Sequence, residues 1–373
     1  MDPQFLKTME RISTVMALLA ALLLAACENT VKYEYDPTDG KITMLGQLST
    51  HDSDHAVFLS MSYPDRTDSL PGATVNCFVN GELHRATQIP NQVLYDRYLD
   101  METGEVIMIP VEGGKKYSEY RFQADLKPGD IVRIEASKGD VKVWSELEVP
   151  QPIRILSVDT LTVVKSQTYQ RIDGSEEYKQ EYVEFTLKIQ DIPGADNYFS
   201  LYAGKTDISK PLPEGSGAIY IQEGERVDFE TFNDVILEDG YTSSVGDLLE
   251  DILPYNYSHC FSDKLFKDGD ATVKLYIPTY TLKGYPYYID GTDDYEVQAI
   301  LYLKIKSFDR SFYNYLRALN NMMCYGFEVD PIVEPTMLPN NVNGGMGMVS
   351  ISAETVQEIA FPTSTIHFGE YYY

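Results

Sequence analysis

The sequence predicts a mainly all-β protein: an immunoglobulin- or fibronectin-like β-sandwich followed by a larger β-rich domain that carries one packed helix. Three observations predict it. Short segments rich in β-branched and aromatic residues alternate with period two. Turn residues punctuate them at the spacing of a sandwich. A single later stretch recurs instead at three and four residues.

The first 26 residues are read as a cleaved lipoprotein signal peptide. Lys7 and Arg11 precede an apolar run from Val15 to Ala26, too short to span a bilayer comfortably and ending in small residues. Leu24-Ala25-Ala26-Cys27 resembles a bacterial lipobox, in which the cysteine thiol is acylated and becomes the new N-terminus. Cys27 is therefore the expected lipidation site. Residues 27–40, with Glu28, Glu34, Asp36 and Asp39, read as an acidic tether.

Residues 41–150 form the predicted sandwich. Ala56–Ser62, Ala73–Val79 and Ile131–Ala136 alternate as strands, and Asn80-Gly81 is a tight hairpin turn because both residues tolerate positive φ. Val141–Val149 closes the unit, with Val143, Ser145 and Leu147 on one face and Trp144 on the other. Pro150 and Pro152 stiffen the exit, which places the boundary near residue 150.

Residues 151–373 form the second domain. Ile153–Val164, Glu181–Leu187 and Tyr198–Gly204 read as antiparallel strands, and Val227–Asp270 as an irregular, acid-rich surface excursion. Ala271–Pro278 and Tyr295–Ile305 add strands; in the latter Tyr295, Val297, Ala299, Leu301, Leu303 and Ile305 share one face. The helix covers 309–321: Phe312, Tyr315, Leu316 and Leu319 form its apolar stripe, Phe308 packs ahead of it, and Asp309 or Ser311 caps it. Met348–Ser352 is a further strand after the loop Asn340–Gly347.

Four stretches together carry a resemblance: the lipobox at Cys27, Tyr257–Phe266, Leu303–Leu319, and Val333-Glu334-Pro335 through Asn343-Gly344-Gly345-Met346-Gly347. They resemble the DUF4249 family of Bacteroidetes outer-membrane-associated lipoproteins. Gly345-Met346 stands where the family usually has Gly-Leu. The resemblance implies a β-rich lipoprotein at the outer membrane, in a family where some genes adjoin those of TonB-dependent receptors. It brings no catalytic residues with it.

Composition bounds the chemistry. The formal net charge is −27, from 57 acidic and 30 basic residues. Asp2 and Glu10 balance Lys7 and Arg11, so the charge stays with the exported body, and such a body repels nucleic acid. Cys77, Cys260 and Cys324 lack CxxC spacing and read as buried apolar side chains; they allow at most one disulfide, with all three pairings open. HExxH, GxSxG and the phosphate-binding glycine loop are missing from the sequence. His51, Asp54 and His55 are the densest potential metal ligands, yet strand-like neighbours deny them the helical i,i+4 geometry, and the expectation is a solvated loop with no metal or cofactor.

The tyrosines supply the binding argument, since each joins a large contact area to a polar tip. Tyr280, Tyr285, Tyr287 and Tyr288 are candidate interface residues, and so is the loop Asn343, Gly344, Gly345, Met346 and Gly347, whose glycines suit close backbone approach. The expected function is a non-enzymatic accessory lipoprotein that binds a ligand or protein at the outer membrane, with a TonB-dependent receptor as the partner the resemblance implies. A structural adhesin or surface-assembly component is the alternative, and an extracellular hydrolase the third reading.

Overall fold

The computed structural model describes residues 40–90, 95–99, 106–110, 116–171, 174–212, 219–232, 234–237, 256, 258–283, 294–325 and 338–366. Cys27, the tether through Asp39, and Tyr285, Tyr287 and Tyr288 lie outside them.

The described chain is mostly strand. In order these are β1 Lys41–Ser49, β2 Asp54–Ser62, β3 Thr67–Ser69, β4 Thr74–Val79, β5 Glu82–Arg85, β6 Thr87–Gln88, β7 Tyr95–Leu99, β8 Val106–Pro110, β9 Ser118–Gln123, β10 Ile131–Lys138 and β11 Val141–Glu148. There follow β12 Arg154–Arg171, β13 Gly174–Gln190, β14 Tyr198–Leu212, β15 Tyr220–Arg226, β16 Cys260–Ser262, β17 Asp270–Pro278, β18 Asp294–Phe308, the helix α1 Arg310–Tyr325, β19 Met346–Ala360 and β20 Ser364–Ile366. Asn80 and Gly81 take φ of 51° and 85°, the pair of positive values that the β4–β5 hairpin requires.

Two cores organise these strands. Sheet β11-β10-β4-β5 faces β1, β2 and β9 across a core of alternating side chains such as Ile42, Met44, Val57, Tyr120, Cys77, Ile134 and Val143. Sheet β12-β13-β17 supplies Phe185, Leu187, Val273 and Leu275 to a second core, and β14 and β18 supply Phe199, Leu201, Leu301 and Leu303. The opposing sheets of each layer bury their odd or even side chains and leave the others outside, as period-two patterning demands.

One sheet runs through both cores. Its order is β15-β14-β18-β19-β1-β2-β9-β6, with β16, β20 and β3 added at the sides. β19 is the link: Met346–Ser352 pairs parallel with β1, and Ala353–Ala360 pairs antiparallel with β18. Val342, Val349 and Ile351 thereby enter the first core alongside residues from positions 42–149.

The helix sits where its periodicity placed it and runs on to Tyr325. Asp309 caps it, its Oδ1 accepting from the backbone N–H of Ser311 at 2.7 Å and of Phe312 at 3.3 Å, while Phe308 packs edge-on to Phe312. The segment read as a surface excursion is corrected by the structure: Val227, Phe229, Phe261 and Phe266 lie in the second core. Its many acids masked this, since Val227 and Phe229 alternate with Asp228 and Glu230. Among the described residues no helix is long and apolar enough to cross a membrane.

Candidate functional site

The outward face of β14, β18 and β19 carries an open cleft of about 450 Å³, within the usual range of small-molecule sites, about 300–1,000 Å³. Strand parity builds it. Odd positions of β14 and β18 face the second core, so even positions face out. The register sets Tyr202 beside Lys304 and Val356, and Gly204 beside Tyr302 and Glu358. Tyr202, Tyr302 and the side-chain-free Gly204 all line the cleft. Gly224, with φ 75°, sits at a register shift where β15 has an extra residue opposite Lys205 and Asp207, and this bulge forms part of the rim. His51 closes the other side.

Charges flank the cleft. Lys304 and Lys306 approach the carboxylate of Glu354 at 3.4 and 3.1 Å, and Ser49 Oγ donates to it at 3.1 Å. Burial alone raises the Glu354 pKa, but the two lysines outweigh it and hold this carboxyl below the usual range. At the odd, inward positions of β14, Lys205 and Asp207 form an ion pair at 2.9 Å with side chains 3% and 2% exposed. Asp207 Oδ1 has no hydrogen-bond partner among the described residues.

The candidate residues fall in several places. His55 is buried, its Nε2 3.0 Å from the Ala124 carbonyl oxygen and its ring against Phe122, and burial lowers its pKa. Asp54 accepts from Arg121 at 2.6 Å and Gln123 at 2.8 Å. His51 lines the cleft, so the three point to different surroundings. Among the described residues no group of three or more His, Cys, Asp or Glu is placed to hold a metal. Cys77 is a free, buried thiol and Cys260 is buried, and burial pushes the Cys77 thiol up to about 12. Tyr280 is 55% exposed on the turn after β17, away from the cleft residues.

The glycine loop is a corner of close backbone packing. Asn343 exchanges backbone hydrogen bonds with Trp144 at 2.7 and 3.1 Å. A Cβ at Gly344 would lie 2.8 Å from the Lys142 carbonyl oxygen, one at Gly345 would overlap the Ile42 carbonyl oxygen, and one at Gly347 would overlap that of Met44. Asn341 secures the turn, donating to the Val349 carbonyl at 2.7 Å and accepting from the Val349 N–H at 2.9 Å. Met346 remains 46% exposed at the edge of this corner.

Sequence reasoning missed Tyr202 and Tyr302 as a pair. The signal was parity: Tyr302 shares its side of β18 with Gln298 and Lys304, the polar face. It also missed the buried amides that dock α1. Asn256 Oδ1 accepts from Asn320 Nδ2 at 2.7 Å and from the Cys260 N–H at 3.1 Å, while Asn256 Nδ2 donates to the carbonyls of Leu237 and Cys260 at 2.7 and 2.8 Å. Asp263 plays a similar part, accepting from the Asn197 N–H at 2.9 Å and fixing the turn between β13 and β14.

A family model described as "Domain of unknown function (DUF4249)" matches residues 28–358. No curated protein matches the chain.

Proposed function

Since the chain belongs to the DUF4249 family, we propose that it is a non-enzymatic lipoprotein, anchored to the outer membrane through Cys27, that binds a ligand or protein partner beside a TonB-dependent transporter. The observation that carries the binding reading is the cleft lined by Tyr202, Tyr302 and Gly204. Two stiff tyrosine side chains beside charged groups of both signs, Lys205, Lys304 and Glu358, suit recognition of a polar surface. The lipobox supports the anchor, and the absence of catalytic motifs from the sequence supports a binding role.

In this reading residues 1–26 are removed, 27–40 are the tether, and 41–150 supply an immunoglobulin- or fibronectin-like sandwich ahead of the β-rich remainder. Support for the sandwich comes from its two facing sheets and from Tyr120, whose hydroxyl donates to the Leu70 carbonyl at 2.8 Å and accepts from the Ala73 N–H at 2.9 Å. The test is affinity capture of the intact lipoprotein from detergent-solubilised membranes. A TonB-dependent transporter should be recovered by the natural chain and lost with Tyr202→Ala/Tyr302→Ala, while Cys27→Ser should release the protein from membranes. Reproducible failure to recover a transporter, or equal recovery by the cleft variant, overturns the partner reading; unchanged membrane retention of Cys27→Ser overturns the anchor.

A further inference from the structure

β12 is an edge of its sheet and is 18 residues long, Arg154–Arg171. Its sole ladder among the described residues is with β13. Edges of this length normally carry proline, short runs or inward charges that prevent pairing with another chain. This one has neither proline nor glycine, and its only irregularity is a register shift between Ile155 and Ser157, near its start. Beyond that shift lies a stretch where Leu161 and Val164 are 61% and 63% exposed. They point to opposite faces of the sheet, so one apolar patch on one face cannot cover both.

We propose that the occupant of this edge is β12 of a second copy, paired antiparallel about a two-fold axis at Thr162. The sequence of the strand selects that register. Centring on Thr162 sets Asp159 opposite Lys165 of the second copy, and the symmetry repeats the pair. It sets Leu161 opposite Val163 on one face and Val164 opposite Thr160 on the other, covering both exposed side chains. Val158 meets Ser166, and nowhere from 158 to 166 do like charges face each other. Lys165 keeps its charge on the Asp159 face, where its ammonium lies 4.7 Å from the Tyr276 ring and 5.5 Å from the Phe232 ring. An isologous pair of this kind joins two three-stranded sheets into one of six. The contact is independent of the cleft, so it stands or falls apart from the ligand reading.

A cysteine at the axis tests it. Directly opposed residues in an antiparallel pair have Cα atoms about 4.5–5.5 Å apart, within disulfide reach. Thr162→Cys in the full-length protein in detergent should therefore give a covalent dimer on mild oxidation, above the background of the parent chain. Ser166→Cys should not, because eight residues separate position 166 from its own copy's equivalent across the axis, about 27 Å at 3.4 Å per residue. In sedimentation, Asp159→Lys should weaken the dimer about tenfold by opposing two lysines twice, and Asp159→Lys/Lys165→Asp should restore it. Equal cross-linking at 162 and 166, no cross-linking at 162, or a double variant as weak as the single one overturns the register. A monomer whose β12 is instead covered by a different protein overturns the second copy as occupant.

Discussion

Replacing Gly347 by alanine tests how the two ends of the chain are joined. Gly347 has φ 120°, a conformation almost confined to glycine, and pairs with Met44 in the parallel β1–β19 ladder. A Cβ there would overlap the Met44 carbonyl oxygen and lie within 2.9–3.0 Å of its carbon and nitrogen. The backbone strain costs about 1–3 kcal/mol. Relief of the overlap requires β1 and β19 to separate locally, and two weakened ladder bonds add about 1 kcal/mol each. The expected loss is about 3–5 kcal/mol. Gly139→Ala is the internal control, since Gly139 also has positive φ, 57°, but its Cβ would meet nothing within 4 Å; strain alone costs about 1–2 kcal/mol. Trp144 is the single tryptophan and is hydrogen-bonded to Asn343 beside this corner, so its fluorescence reports the transition in urea. At a slope of about 3 kcal/mol per molar, the midpoint should fall by about 1–1.7 M for Gly347→Ala against about 0.3–0.7 M for the control. Equal shifts would refute the close-approach argument.

Lys205→Met should destabilise by about 3–5 kcal/mol, because it leaves the Asp207 carboxylate buried without its cation, and Lys205→Met/Asp207→Leu should recover most of that loss; both are read from urea midpoints. Glu354 has its folded-state pKa held below the ordinary value, so its contribution is fully present above the unfolded-state pKa and disappears as pH falls through the folded one. Glu354→Gln should therefore lower stability at pH 7 and flatten the loss of stability on acidification below about pH 4.5; a variant with the natural pH dependence contradicts the ion-pair account.

Much of the fold was legible because period-two patterning is a local signal. The alternation through Tyr295–Ile305, the Asn80-Gly81 hairpin and the Asp309 cap each involve neighbours within a few residues, and the structure contains all three. What the sequence left unread depends on distant partners. The glycines at 344, 345 and 347 announced a close approach without naming Lys142, Ile42 and Met44 as the backbone approached. The cleft was hidden for the same reason, since Tyr202 and Tyr302 become neighbours only through the β14–β18 register. The emphasis on Tyr280, Tyr285, Tyr287 and Tyr288 followed local density, which is a poor guide when a site is assembled from a few residues on each of three strands.

The strand that links the two cores also imposes a chronology. Leu48 and Ser352, joined by a hydrogen bond across the β1–β19 pair, are 304 residues apart in the chain. Any chain that emerges N-terminus first must expose β1 long before its parallel neighbour exists. The edge of β1 that pairs with β19 then stays open, and Val342, Val349 and Ile351 reach the first core only after nearly everything else has been delivered. The first sandwich, built mostly from residues 41–149, is thus completed by a strand from residues 346–352.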